Sequence, residues 1–178
     1  MPEATTTMAT DSLRDRFEAL FERHRKIIFK VANTYCRHDE DRRDLAQEIS
    51  VQLWRAFPGY DAQRSFSTWM YRVALNVAIS FARRASQRDR HMVALDDSTA
   101  EPIDERAATH EADERVHALQ RIIDGLGDLD RALMLLYLED HSYREIAEVL
   151  GISETNVATK INRLKQRIRK DVCSSPPE

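Results

Sequence analysis

The sequence predicts an all-α protein of two small helical domains joined by a flexible acidic linker. Only four glycines occur in 178 residues, no run alternates apolar and polar positions as a strand would, and Ala, Leu, Arg and Glu are abundant. The apolar residues recur at helical spacing in two blocks, separated by a stretch that has no period and carries much of the acid.

Residues 1–10 (MPEATTTMAT) are small and polar, without an apolar period, and read as a disordered leader. The first domain spans 11–86. Leu13, Phe17, Leu20, Phe21, Ile27, Ile28, Val31 and Tyr35 form one helical stripe, on which His24 falls as a packed or partly exposed residue. Arg37 to Asp41 reads as a turn with Asp39 as cap, and a second helix runs from about Asp41 to Phe57, where Pro58-Gly59 breaks it. After a loop from Asp61 to Ser65, Ser65 or Ser67 caps a third helix, expected to carry Trp69, Val73, Val77 and Phe81 inward and to end in Arg83-Arg84.

Past Gln87 the periodicity lapses, and residues 87–115 are expected to be the linker. From Asp89 to Arg115 nine acids face three bases, a net −6. The second domain spans 116–172, beginning with a helical face of Val116, Leu119, Ile122, Ile123 and Leu126 and continuing with a helix from Leu129 to Leu138. Residues 173–178 form a tail.

Within the second domain, Ser142 to Lys170 has the outline of a helix-turn-helix. Ser142 and Glu145 make an S-x-x-E capping box, and Ile146, Val149 and Leu150 form the stripe of the helix it starts. Gly151 stands where the helix must end in a left-handed residue. Ser153 offers a second N-cap, and Val157, Ile161, Leu164 and Ile168 repeat along a longer helix. Thr155, Asn156, Thr159, Lys160 and Arg163 point outward with donors suited to base edges and phosphates, and Arg144 suits phosphate positioning. Seven bases face three acids from His141 to Lys170, a net +4, so a basic head stands apart from the acidic connector even though the whole chain carries −3.

Other chemistries lack their residues. Cys36 and Cys173 have no close Cys or His partners of a zinc site, and there is no Gly-rich phosphate loop, nucleophile arrangement or spaced carboxylate set. No catalytic residue, metal, cofactor or small-molecule substrate is expected. No segment resembles a membrane span or secretory signal, which makes the cytoplasm the expected compartment.

Two faces of the first domain carry further chemistry. Asp44, Gln47 and Glu48 lie at i, i+3 and i+4 on one helix face, beside the inward Leu45, Ile49 and Leu53. Phe66, Trp69, Tyr71, Arg72, Asn76, Arg83 and Arg84 combine aromatics, an amide and bases, the mixture that stacks unpaired bases and holds their backbone.

DLAQE (Asp44 to Glu48), FSTWMYRVALNVAISFARR (Phe66 to Arg84) and the C-terminal helix-turn-helix together resemble a bacterial RNA polymerase sigma factor of the extracytoplasmic-function type. The resemblance implies that Asp44, Gln47 and Glu48 dock on the coiled-coil of the polymerase β′ clamp. It implies that the third helix and the loop before it capture the melted minus-ten element, with Asn76 a candidate base reader. The second domain would read the minus-thirty-five element, the β flap is the other polymerase element implied as a partner, and the acidic linker would thread toward the active-site cleft and RNA exit path. An anti-sigma protein is the further implied partner. The family's Val-Lys-Ser-Arg-like run is replaced here by Val157-Ala158-Thr159-Lys160, which bears on the bases read. The alternative is a stand-alone helix-turn-helix regulator, which would need neither DLAQE nor the aromatic-amide helix.

Overall fold

The structure, a computed structural model, describes residues 3–93 and 125–173, and every regular element among them is helical. The chain divides into two compact units, Met1–Phe81 with Glu148–Leu150, and Ala82–Ala147 with Gly151–Glu178. The acidic stretch beyond Val93, the face expected from Val116 to Ile123 and the tail after Cys173 lie outside the described residues.

The first unit opens with α1 (Glu3–His24) and α2 (Lys26–Tyr35), divided at Arg25. Helix α1 begins eight residues earlier than expected, so the small polar leader is helical from Glu3. Extending a formed helix adds one hydrogen bond for each residue fixed, and so needs no apolar stripe of its own. The break at Arg25 also departs from the single stripe read in the sequence. Phe17 on α1 and Ile27, Ile28, Val31, Ala32 and Tyr35 on α2 are buried on either side of it.

Helix α3 (Asp39–Ala56) packs closely against α2 and inserts Leu45, Ile49 and Leu53, each fully buried, as expected. Its N-cap is His38, with no side-chain capping bond. Asp39, expected as the cap, sits one position inside, where its carboxylate meets Arg42 at 3.1 Å and favours the positive end of the helix dipole. Phe57–Gly59 forms a short 3-10 turn that stops the helix at Pro58.

The loop is held by an Asx turn, in which the Gln63 N–H donates to Asp61 Oδ1 at 2.9 Å. Ser65 then starts α4 (Phe66–Val93), its carbonyl accepting from the Trp69 N–H at 3.1 Å. The buried face of α4 is Phe66, Met70, Tyr71, Ala74, Leu75 and Ala78, while Trp69, Val73, Val77 and Phe81 are only half-buried. The expected core stripe therefore lies one position out of phase. Helix α4 also runs on to Val93, through the first residues of the expected linker.

The second unit contains α5 (Asp128–Leu138), α6 (Tyr143–Leu150) as far as Ala147, and α7 (Glu154–Cys173). Helices α5 and α7 pack together, with Ala132, Leu133, Met134 and Leu136 of α5 and Val157, Ile161 and Leu164 of α7 buried, as are Ile146 and Ala147 of α6. Asp140 ends α5 at φ 59°, with its N–H on the Tyr137 carbonyl and the His141 N–H on the Leu136 carbonyl. Asp adopts this left-handed conformation more readily than most residues, but not without cost.

Candidate functional site

The helix-turn-helix is built from its two caps outward. The Glu145 N–H donates to Ser142 Oγ at 3.3 Å, and the Ser142 N–H returns a bond to Glu145 Oε2 at 2.8 Å, which completes the capping box. The serine hydroxyl and N–H hold the Glu145 carboxyl below its ordinary pKa. Gly151 takes φ 67°, which turns the chain so that its N–H and that of Ile152 both reach the Ala147 carbonyl. Ser153 then caps α7 through the Asn156 N–H at 3.2 Å.

Burying Val157, Ile161 and Leu164 leaves Thr155, Asn156, Thr159 and Arg163 exposed on α7, as expected. Arg144 is exposed in the first turn of α6. Lys160 differs from them. Its ammonium lies 3.6 Å from Asp130 Oδ1, and both side chains are about one-third exposed, at 32% and 33%. It therefore leans toward α5, on the flank of the outward face. Asn162 and Gln166, which periodicity places beside Thr155, Thr159 and Arg163, are exposed on that face and were not anticipated. Lys165 is also turned inward, with Nζ 4.3 Å from the Tyr137 ring centroid, and a bond with the Tyr137 hydroxyl raises its pKa.

In the first unit, Asp44 and Gln47 are exposed and Glu48 is half-buried, because α3 commits Leu45 and Ile49 to the core. The result is an acidic and amide face on a rigid helix.

A continuous aromatic cluster lies beneath the start of α4. Phe57 stacks on Tyr60 with ring centroids 5.8 Å apart, and Tyr60 stands 5.1 Å from Trp69. Phe66 is 5.2 Å from Trp69 and 5.4 Å from His24, whose pKa is lowered first by burial and then by Arg23. Two expected contact residues belong to the core instead: Phe66 is 6% exposed and Tyr71 only 3%. Neither can stack on a base, because α4 turns both toward the aromatic and aliphatic interior. Trp69, Arg72, Asn76 and Arg83 follow one another at i, i+3, i+7 and i+14, and of these only Trp69 is half-buried while the rest are exposed. Arg84 is exposed beside them. Tyr60 is a further member of this surface. Its position next to Pro58-Gly59, in the loop before a helix already rich in contacts, was the available signal.

Among the described residues, no cluster of His, Cys, Asp and Glu could hold a metal ion, and no helix is long and apolar enough to cross a membrane. The arrangement is suited to binding surfaces: carboxylates and an amide on α3, an aromatic-amide-guanidinium line on α4, and a polar face on α7.

Two family models match the chain, Sigma-70 region 2 over residues 20–88 and Sigma-70 region 4 over residues 117–168. The chain is 26% identical over 174 residues to the ECF RNA polymerase sigma factor SigE of Mycolicibacterium smegmatis, covering 94% of this chain and 67% of that one. It is 25% identical over 168 residues to the ECF RNA polymerase sigma factor SigW of Bacillus subtilis, covering 89% of this chain and 90% of that one. The fold is similar to that of CnrH, solved in complex with the cytosolic domain of CnrY, with a TM-score of 0.66 at 21% identity over 92% of this chain and 91% of that one.

Proposed function

We propose that this chain, which belongs to the extracytoplasmic-function sigma factors of bacterial RNA polymerase, divides promoter recognition between its two units by the residues described above. It is a sigma factor that binds core RNA polymerase and promoter DNA and directs transcription initiation. Asp44, Gln47 and Glu48 dock on the β′ clamp coiled-coil, where carboxylates and an amide pair with guanidinium groups. The observation that carries this reading is the presence, on one small unit, of a polar-acidic α3 face and the Trp69-Arg72-Asn76 line of α4. A stand-alone DNA-binding regulator would need neither.

Trp69 and Tyr60 offer ring faces, Asn76 an amide and Arg72, Arg83 and Arg84 positive charge to the unpaired non-template strand of the minus-ten element. Capturing an extruded base offsets the cost of unpairing it, so the cluster promotes opening by holding the open form. Thr155, Asn156, Thr159 and Arg163 read the minus-thirty-five element in the major groove, while Arg144 and Lys160 set the position on phosphates. The β flap is the further polymerase element in the proposed interface. None of these roles involves catalysis by the chain, and all belong in the cytoplasm.

The CnrH neighbour was solved with the cytosolic domain of CnrY. An anti-sigma protein that covers the α3 and α7 faces is the corresponding partner for this chain. The decisive experiment is transcription in vitro with core polymerase on a randomised promoter library, combined with co-elution of Asp44→Arg and Glu48→Arg. Selection of a two-part promoter and loss of co-elution are expected. Intact polymerase binding by both variants would remove the docking assignment.

A further inference from the structure

Residues 23–38 contain five bases, Arg23, Arg25, Lys26, Lys30 and Arg37, and no acid, in a chain whose net charge is −3. Helix α2 lies within this segment. It buries Ile27, Ile28, Val31, Ala32 and Tyr35, which leaves Lys26, Phe29, Lys30 and Asn33 on the opposite face at i, i+3, i+4 and i+7. Phe29 is 57% exposed, the most exposed large apolar side chain among the described residues. A phenylalanine ring open to water between two lysines, with an amide one turn on, repeats the aromatic, base and amide composition of the α4 line on a different helix.

The two surfaces are also linked in space. His24, two residues before Lys26, has its ring 5.4 Å from Phe66, and Phe66 lies 5.2 Å from Trp69. The start of α2 is thus two ring contacts from the base-stacking cluster, within the same unit.

We propose that the Lys26-Phe29-Lys30-Asn33 face of α2 is a second binding surface for single-stranded promoter DNA, extending the path of the strand captured at Trp69. A single strand is favoured over duplex because Phe29 has no groove-edge donor to offer and only an unpaired base presents a face for stacking. It is favoured over an acidic protein surface because the ring occupies the centre of the face, between the charges. The lysines hold successive phosphates while the ring takes a base between them.

The test uses holoenzyme on a bubble promoter whose unpaired tract is already open, so that binding to α2 is read separately from melting. The non-template strand carries 2-aminopurine at one position at a time. At one position Phe29→Ala should lose the fluorescence quench and about tenfold in bubble affinity, while Phe29→Trp retains both. Lys26→Ala with Lys30→Ala should flatten the salt dependence of bubble binding by roughly one to two in slope. Affinity for core polymerase and for fully paired promoter should not change, and the exposure of Phe29 makes its substitution harmless to folding. Two results would overturn the proposal. Unaltered quench, affinity and salt slope would make the face a solvated one. A loss of core binding by Phe29→Ala, with bubble binding by the assembled holoenzyme intact, would make it a polymerase contact.

Discussion

The ammonium of Lys160 stands 3.6 Å from the carboxylate of Asp130, drawing a recognition-helix cation toward α5 and away from the outward line of Thr155, Thr159 and Arg163. A pair this exposed contributes little to stability, about 0–1 kcal/mol. Its effect falls on DNA binding, since Asp130 offsets part of the charge that Lys160 brings to phosphate. Asp130→Asn should therefore raise the affinity for non-promoter DNA and steepen its salt dependence, leaving the melting temperature nearly unchanged. Titrating non-specific duplex at several salt concentrations measures this, and an unchanged slope would show that Lys160 is not restrained by Asp130.

Arg163 and Lys160 should separate for the same reason. Arg163→Ala is expected to cost about 1–3 kcal/mol of promoter discrimination if the guanidinium meets a base edge. Lys160→Ala should weaken binding less and equally across sequences. A transcribed promoter library distinguishes a changed base preference from a uniform loss. Equal loss of base preference in both variants would place Lys160 in the reading set after all.

The capping box makes the helix-turn-helix sensitive to acid. Ser142→Ala removes one of its two reciprocal bonds and should cost about 1 kcal/mol of stability. Bonds from the serine hydroxyl and N–H lower the folded pKa of Glu145 beneath its ordinary value of 4.5. The folded state therefore binds fewer protons than the unfolded state just below that value. Stability from this carboxylate is fully present above pH 4.5 and is lost as pH falls through the lowered pKa. Denaturant titrations of wild type and Glu145→Gln should converge on acidification, whereas a constant gap would show that the carboxylate is not linked to folding.

Two left-handed residues in the second unit should respond in opposite directions. Gly151 at φ 67° meets no steric obstacle from a Cβ, so the cost of Gly151→Ala is conformational alone, about 1–2 kcal/mol. Asp140 at φ 59° already bears that kind of strain, and Asp140→Gly should relieve up to about 1 kcal/mol. Thermal unfolding of the two variants tests the pair, and destabilisation by both would mean that the Asp140 side chain is needed at the turn.

The helix-turn-helix was legible because its signals are local. The Ser142 box, Gly151 and Ser153 each act within four residues, and each functions in the structure as its chemistry requires. The buried face of α4 includes Ala74 and Ala78, which carry little hydrophobic signal, so periodicity points one position away from it. The larger Trp69, Val73, Val77 and Phe81 recur at intervals of four and so drift around a helix of 3.6 residues per turn. The Lys160–Asp130 pair and the link from His24 to Trp69 through Phe66 join residues distant in sequence, so no periodicity could disclose them.

The buried face of α4 separates aromatics that composition alone treats alike. Phe66 is buried against Phe57, Tyr60, Trp69 and His24, so Phe66→Ala should open a cavity and cost about 3–5 kcal/mol of stability. Tyr71→Ala should likewise destabilise the first unit, since its ring is only 3% exposed. Trp69 is half-buried, and replacing it with Ala should lower stability less while weakening capture of an unpaired base by roughly 1–3 kcal/mol. Comparing the variants by thermal unfolding and by holoenzyme binding to a fork-junction promoter resolves the two effects. Trp69→Phe keeps a stacking face and should restore most of the binding. If Trp69→Ala and Phe66→Ala lose fork binding only in proportion to lost stability, Trp69 supports the fold and the strand is captured by Arg72 and Asn76 without it.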